Sequence, residues 1–115
     1  YEVVGHSMGG YVALELARCD ERCKKIVLLN SNFWSDSEAK RMDRLRVAEI
    51  VQHMKSLFLN EAIPNLFIDP TAQKDQVDQL IKEANAMDSA SIAYASIAMS
   101  EREDYSAEVN NEKLK

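Results

Sequence analysis

The stretch Gly5-His6-Ser7-Met8-Gly9, followed directly by Gly10, decides how the rest of this sequence is interpreted. The apolar pair Val3-Val4 precedes it, and a helical pattern begins near Tyr11. A G-x-S-x-G between a strand and a helix predicts a tight turn that lifts the serine hydroxyl above the end of the sheet. Crowding in so sharp a turn explains the flanking glycines, and Gly10 allows the helix to lie close to the neighbouring strand.

This turn predicts nucleophilic chemistry at Ser7. A serine on a strained strand-to-helix turn is a nucleophile elbow. The first N–H groups of the helix have no intrahelical partner and carry the positive end of its dipole, so the Met8 N–H is placed to receive an oxyanion. We expect His6 to point away from the serine and to brace the turn together with Gly5, Gly9 and Gly10. The alternative is a glycine-rich turn without chemistry.

The next two segments predict a helix and a second strand. From Gly9 to about Cys19 the residues are apolar almost all round, which is typical of a helix that packs against a sheet. Ile26-Val27-Leu28-Leu29 is a short unbroken apolar run, as expected for a parallel strand covered on both faces. Together with the first strand they predict a βαβ unit.

Polar and aromatic residues follow the second strand. Asn30, Ser31 and Asn32 occupy the carboxyl end of that strand, where ligand-facing residues gather in α/β sheets. Phe33 and Trp34 come next. We interpret Asn30, Asn32, Phe33 and Trp34 as possible walls of a substrate pocket, and packing of the two aromatic rings remains open as the alternative.

Residues 35–102 predict three helical segments. Ser35 to Glu38 matches the capping box S-x-x-E, and apolar residues continue at helical spacing to Phe58, in one helix or a pair. Pro64 interrupts the pattern. A second amphipathic helix begins near Thr71 to Asp75, and Asp88 or Ser89 caps a third.

Several of these motifs resemble the α/β-hydrolase family, in its group of serine esterases with a helical cap. Val3 to Gly10 with Tyr11-Val12-Ala13-Leu14 resembles the elbow of those proteins. The helical cap is resembled by two further stretches, Ile63-Pro64-Asn65-Leu66-Phe67 and Ala98-Met99 with Arg102 and Asp104. The resemblance implies an α/β fold, here as a fragment. Residues 1–34 would be the core βαβ unit with the elbow, 35–102 the helical cap, and 103–115 a charged connection toward the next core strand.

The same resemblance implies that the active site is incomplete in this sequence. In α/β hydrolases the triad follows the order serine, acid, histidine, so the acid and the histidine are expected after Lys115, and the second oxyanion N–H before Tyr1. We therefore interpret the chain as a fragment cut on both sides. The remaining candidate base is His53, on a predicted helix, and the candidate acids are Asp36 and Asp69, which turn or cap positions explain without catalysis.

A serine at the elbow predicts an acyl-enzyme. Relatives that open epoxides or displace halide need a carboxylate at that position. The function expected is therefore that of a carboxylesterase-like serine hydrolase acting on a small ester, with the 115-residue chain itself inactive. The alternative is a non-catalytic protein of the same fold that binds a ligand or a partner. A purely helical interaction protein would leave the elbow unexplained.

Composition excludes several other classes. The 115 residues are 46% hydrophobic and carry a net charge of −5, which argues against a nucleic acid partner. The sequence has neither a membrane-spanning run nor a signal segment at its start. Cys19 and Cys23 lack companions for a zinc site and are interpreted as reduced thiols of a cytoplasmic protein. We expect no metal and no cofactor, and the oligomeric state is not indicated.

Overall fold

The computed structural model describes residues 1–110 and contains two strands, five α-helices and a short 3₁₀ helix. In chain order these are β1 (Glu2–His6), α1 (Met8–Cys19), β2 (Lys25–Leu29), α2 (Glu38–Ala62), the 3₁₀ helix Ile63–Leu66, α3 (Lys74–Ala86), α4 (Ser89–Ser100) and α5 (Ser106–Asn110). They form two compact units. The first comprises Tyr1–Arg41 and the described residues from Met99 onward, and the second comprises Met42–Ala98.

The sheet of the first unit consists of β1 and β2, which run parallel as predicted. Val3 pairs with Ile26, and Gly5 pairs with Leu28. Paired residues of a parallel sheet point to the same face, so these four residues form one face. A Cβ added at Gly5 would meet backbone atoms at the start of α1, and one added at Gly10 would meet Ser31 and Leu28, which places α1 against that face.

The other face of this sheet is not covered by the described residues. Val4, Val27 and Leu29 are 66%, 44% and 52% exposed. Coverage on both faces was therefore a wrong expectation, because α1 packs against one face only. The helix shows the same asymmetry, since Ala13 and Leu14 are buried while Val12 and Leu16 are exposed.

Helix α2 begins at a different cap from the one predicted. Its first helical residue is Glu38, and Ser37 Oγ accepts a hydrogen bond from the Lys40 N–H at 3.2 Å. Ser37 is thus the capping residue, whereas Ser35 donates its hydroxyl to Asp104 at 3.1 Å. The choice between one helix and a pair is resolved as a pair joined across a kink, because Met54 has non-helical dihedral angles (φ −137°, ψ 48°).

The second unit is held together by apolar side chains from its helices. One buried cluster contains Ala48, Val51 and Ala93, and a second contains Leu59, Ile63 and Val77. Polar contacts complete the helix ends. Asp88 Oδ2 caps α4 by accepting from the Ser91 N–H, and Lys55 Nζ donates to the Asn85 and Met87 carbonyls at the end of α3, where a cation is favoured.

Two predictions concern the last residues and the membrane. The predicted connection 103–115 contains the short helix α5, and residues 111–115 of it lie outside the described residues. Among residues 1–110, no helix combines the length and the apolar character needed to cross a bilayer.

Candidate active site

Ser7 occupies the turn between β1 and α1 in a backbone conformation that side-chain-bearing residues rarely adopt. Its dihedral angles are φ 51° and ψ −120°. The turn is closed by two hydrogen bonds of 3.0 Å, from the Ser7 N–H to the Leu29 carbonyl and from the Gly10 N–H to the Ser7 carbonyl. Such a conformation costs on the order of 1–3 kcal/mol and persists only where the surrounding structure imposes it.

A second residue with positive φ lies at the neighbouring strand end. Within residues 1–110, Ser7 and Asn30 are the non-glycine residues with positive φ, and Asn30 has φ 47°. His6 pairs with Leu29 in the sheet, so these two unusual residues directly follow paired positions. Both turns therefore lie at the carboxyl edge of the sheet, where α/β proteins place their ligands.

The three glycines of the turn have different surroundings. A Cβ on Gly5 would lie 2.5 Å from both the Gly10 Cα and the Gly9 carbonyl oxygen, and one on Gly10 would lie 2.2 Å from the Ser31 Oγ. Both positions therefore exclude a side chain. Crowding was a wrong expectation for Gly9, because no described atom outside its own neighbours and helix backbone lies within 4 Å of an added Cβ.

Met8 and His6 flank the serine on either side. Met8 is the first residue of α1, so its N–H has no acceptor within the helix, and its side chain is exposed. His6 is the last residue of β1 and is exposed. Since Gly5 faces α1, strand alternation directs His6 to the opposite, open face of the sheet.

The predicted pocket residues lie on the loop 30–36 between β2 and α2. The Phe33 and Trp34 rings meet edge to face, with centroids 5.2 Å apart and an interplanar angle of 79°. Trp34 is half exposed, and Asn30 is exposed. The Phe33 carbonyl accepts a hydrogen bond from the Tyr105 N–H at 2.8 Å, so the loop is tied to a distant part of the chain.

Arg102 is the main residue of this region to which sequence reasoning assigned no role. Its Nη1 lies 2.7 Å from Asp36 Oδ1 and donates to the Met99 carbonyl at 3.0 Å. Its Nη2 donates to the Trp34 carbonyl at 3.0 Å and, at 3.5 Å, to Asn32 Oδ1. Its guanidinium carbon lies 4.1 Å from the centre of the Tyr11 ring.

The contacts of Arg102 with Asp36 and Trp34 could not have been predicted from the spacing of residues in the sequence. The Arg102 and Asp36 side chains are only 10% and 5% exposed, yet Arg102 and Trp34 are 68 positions apart. No local motif connects residues so distant in sequence. The one sequence feature that pointed to Arg102 was its place in the resemblance to the helical cap.

The two alternative catalytic acids, Asp36 and Asp69, form structural contacts, and the alternative base His53 is exposed on a helix. Asp36 forms the ion pair with Arg102, and Asp69 Oδ1 accepts from the Ala72 N–H at 2.9 Å, as in a turn. His53 is exposed on α2. Asp36 and Asp69 thus have structural partners that account for them.

The segment after Arg102 adds further contacts to the loop and to α1. Asp104 accepts hydrogen bonds from the Ser106 and Ser35 N–H groups, and such donors, Ser106 first, hold the pKa of Asp104 well below its usual value. The Tyr105 hydroxyl donates to Glu15 Oε1 at 2.5 Å. Burial, followed by this hydrogen bond, raises the pKa of Tyr105 to about 12. The same hydrogen bond is the main reason why the pKa of Glu15 is lowered.

The part of the chain that the structure describes contains no group of three or more histidine, cysteine or acidic side chains arranged to hold a metal ion. Comparison with protein-family models gives no match for this chain. Comparison with curated proteins also gives no match.

Comparison with solved structures does find a related fold. A thermophilic esterase from Thermogutta terrifontis, solved with malate bound, matches with a TM-score of 0.79 and 28% sequence identity. The match covers 92% of this chain and 40% of the esterase, so the chain spans less than half of that protein's length. Over the matched residues, the two-stranded parallel sheet and its helices have an esterase-like fold.

Proposed function

We propose that this chain carries the nucleophile of a serine hydrolase of the carboxylesterase type, with Ser7 as the nucleophile. The observation that carries the proposal is the strained backbone of Ser7 at the junction of β1 and α1. Strain of this kind is maintained at functional sites, and a serine in it is the defining feature of a nucleophile elbow. The likeness to an esterase supports the same reading.

The proposed reaction proceeds through an acyl-enzyme. Ser7 Oγ adds to the ester carbonyl carbon while its proton passes to a histidine base, and the negative charge develops on the carbonyl oxygen. The Met8 N–H donates a hydrogen bond to that oxygen. Collapse expels the alcohol, which receives the proton from the base, and water then releases the acid by the same steps. Gly5, Gly9, Gly10 and His6 form the support of the turn.

The proposed base, its carboxylate partner and the second oxyanion donor come from residues outside this sequence. The matched esterase has 60% of its length outside the shared region, so a protein of that size has ample chain to supply them. Residues 35–102 are proposed as the helical cap insertion of such an esterase, and 103–115 as the connection back to its core. No metal or cofactor takes part in the proposed reaction.

The proposed substrate is a small ester. Asn30 and Asn32 offer polar groups and Phe33 and Trp34 offer aromatic surface on the loop that starts at the same sheet edge as Ser7. A pocket of mostly apolar walls with few polar groups suits a small uncharged ligand.

A fluorophosphonate probe on the full-length protein containing this sequence tests the proposal. We expect Ser7 to be labelled, with labelling lost in Ser7→Ala and retained in Ser91→Ala, a matched exposed serine on α4. Equal labelling of all three proteins would overturn it. Absence of labelling in a folded protein would favour the alternative, a ligand-binding or interaction protein of the same fold.

The 115 residues by themselves are expected to be inactive. Without a base, residual rates from an oxyanion site fall short of triad catalysis by several orders of magnitude. Hydrolysis of p-nitrophenyl acetate by this chain above the Ser7→Ala background would contradict that expectation.

A further inference from the structure

The loop 30–36 is attached to the rest of the first unit through the segment 102–105. Hydrogen bonds and one ion pair join the two segments. The pairs are Arg102 with Trp34, Asn32 and Asp36, Ser35 with Asp104, and Tyr105 with Phe33. Among these, Arg102 differs because it also lies over the Tyr11 ring, on the first turn of the helix that follows Ser7.

We propose that Arg102 is a positioning residue that fixes the loop 30–36 against the first turn of α1 and thereby sets the orientation of Phe33 and Trp34. The substrate-related part of this inference rests on the proposed esterase function. Arg102 itself does not contact the reacting atoms. It acts through the loop, whose residues form the proposed pocket wall.

The chemistry of the guanidinium group suits this role better than that of any other cation. Its planar fork directs Nη1 to a carboxylate and Nη2 to a backbone carbonyl, while its flat face lies 4.1 Å from an aromatic ring centre. A lysine at this position could keep the ion pair with Asp36 but would lack the second arm for Trp34 and the planar contact with Tyr11. Arg102→Lys therefore keeps the positive charge but removes the contacts that would position the loop.

Burial makes the contacts of Arg102 effective. The two partners of the ion pair are each at least nine-tenths buried, so water competes little for the guanidinium donors. By contrast, Arg41 pairs with Glu38 at 3.3 Å where the two side chains are 47% and 76% exposed. Arg41 lies in the same unit and also donates to a helix-end carbonyl, that of Ser100, so Arg41→Lys is a matched control.

Trp34 provides a direct readout in the 115-residue chain, where it is the single tryptophan. In Arg102→Lys we expect lower Trp34 fluorescence anisotropy and a higher acrylamide quenching constant than in the unmodified protein. The double variant Arg102→Met/Asp36→Asn, which removes both charges of the ion pair, should show the same change. Arg41→Lys should show neither. Circular dichroism at the same temperature checks that all variants are folded.

Steady-state kinetics of the full-length protein test the consequence for substrate. Misplacing the pocket wall should raise KM for an aryl ester roughly tenfold in Arg102→Lys, with kcat per fluorophosphonate-titrated site changed much less. A role in folding alone would lower the titrated fraction and leave KM unmoved.

The outcomes distinguish this inference from the proposed function. Unchanged Trp34 anisotropy and quenching in folded Arg102 variants would overturn the positioning role. Changed fluorescence with unchanged KM, in a protein that labels at Ser7, would overturn its importance for substrate. Failure to label Ser7 would refute the esterase proposal, while the fluorescence result would still decide whether Arg102 orders the loop.

Discussion

The two compact units of this chain are stabilised in different ways. In the second unit, Met42–Ala98, buried alanine, valine, leucine and isoleucine side chains from successive helices form two clusters. In the first unit, the loops around the sheet edge are held by hydrogen bonds and a buried ion pair between residues far apart in sequence. Its sheet exposes one apolar face.

This difference shows where specificity of structure comes from in each unit. An apolar cluster tolerates many side chains of suitable size, because the hydrophobic effect has no direction. A buried ion pair or a crowded turn accepts few alternatives, because removal of one partner leaves a charge unpaired and an added Cβ has no space. We therefore expect substitutions at the buried ion pair and at the crowded turn of the first unit to cost more than truncations in the apolar clusters of the second.

The largest effect is expected for Arg102→Met, which removes the cation of the buried ion pair with Asp36. Loss of one partner of a buried ion pair costs about 3–5 kcal/mol. The double variant Arg102→Met/Asp36→Asn should recover more than half of that loss. Urea denaturation at pH 7 measures both, and an additive or larger loss in the double variant would show that the pair is not coupled.

The next largest effect is expected for Gly5→Ala. The added Cβ would lie 2.5 Å from backbone atoms of Gly9 and Gly10, which cannot move without displacing α1. We expect a loss of about 3 kcal/mol in the free energy of unfolding. Gly9→Ala is the matched control and should be neutral or stabilising by up to about 1 kcal/mol, since the site is open and alanine favours helix. Equal losses would contradict this assignment of crowding.

A smaller effect is expected for Val51→Ala in the second unit. Val51 is fully buried, and the removed methyl groups and the remaining cavity should cost about 2 kcal/mol. Leu57→Ala on the same helix removes more carbon atoms from a side chain that is 55% exposed, and should cost about 0.5 kcal/mol. Thermal unfolding of the two variants compares them. A larger cost for Leu57→Ala would mean that its side chain is covered in solution.

The smallest effect is expected for Tyr105→Phe, at about 1 kcal/mol near pH 7. The Tyr105 hydroxyl is the main cause of the lowered pKa of Glu15. A carboxyl group with a lowered pKa stabilises the fold above its unfolded value, 4.5, and this contribution is lost as pH falls through the folded value. The difference between the two proteins should therefore shrink below about pH 4.5. A difference that stays constant from pH 7 to pH 3 would exclude this linkage.

Local patterns in the sequence were sufficient to predict the order of the two strands and of helices α1 to α4, but not the 3₁₀ helix or α5. The G-x-S-x-G motif predicted a turn between a strand and a helix, and the structure has Ser7 there with positive φ. Apolar spacing predicted the helices that became α2, α3 and α4. These features depend on residues within a few positions of one another, so the chain's own periodicity and turn residues determine them.

Features that depend on distant residues were not predictable. Ser37 caps α2 in place of Ser35, because Ser35 donates hydrogen bonds from its hydroxyl and N–H to Asp104. Asp104 lies 69 positions away in the sequence. An unbroken apolar run cannot reveal how many faces of a strand are covered, which is why the exposed face containing Val27 was missed.

The sequence by itself thus determined the turn at Ser7, the parallel βαβ unit and the three helical segments after it. Only the tertiary structure decided that Arg102 lies between Asp36, Trp34 and Tyr11, and that Tyr105 reaches Glu15. The physical reason is the range of the interactions. Turn strain and helix periodicity act along neighbouring residues, whereas a buried ion pair forms only when the fold brings its two partners out of water together.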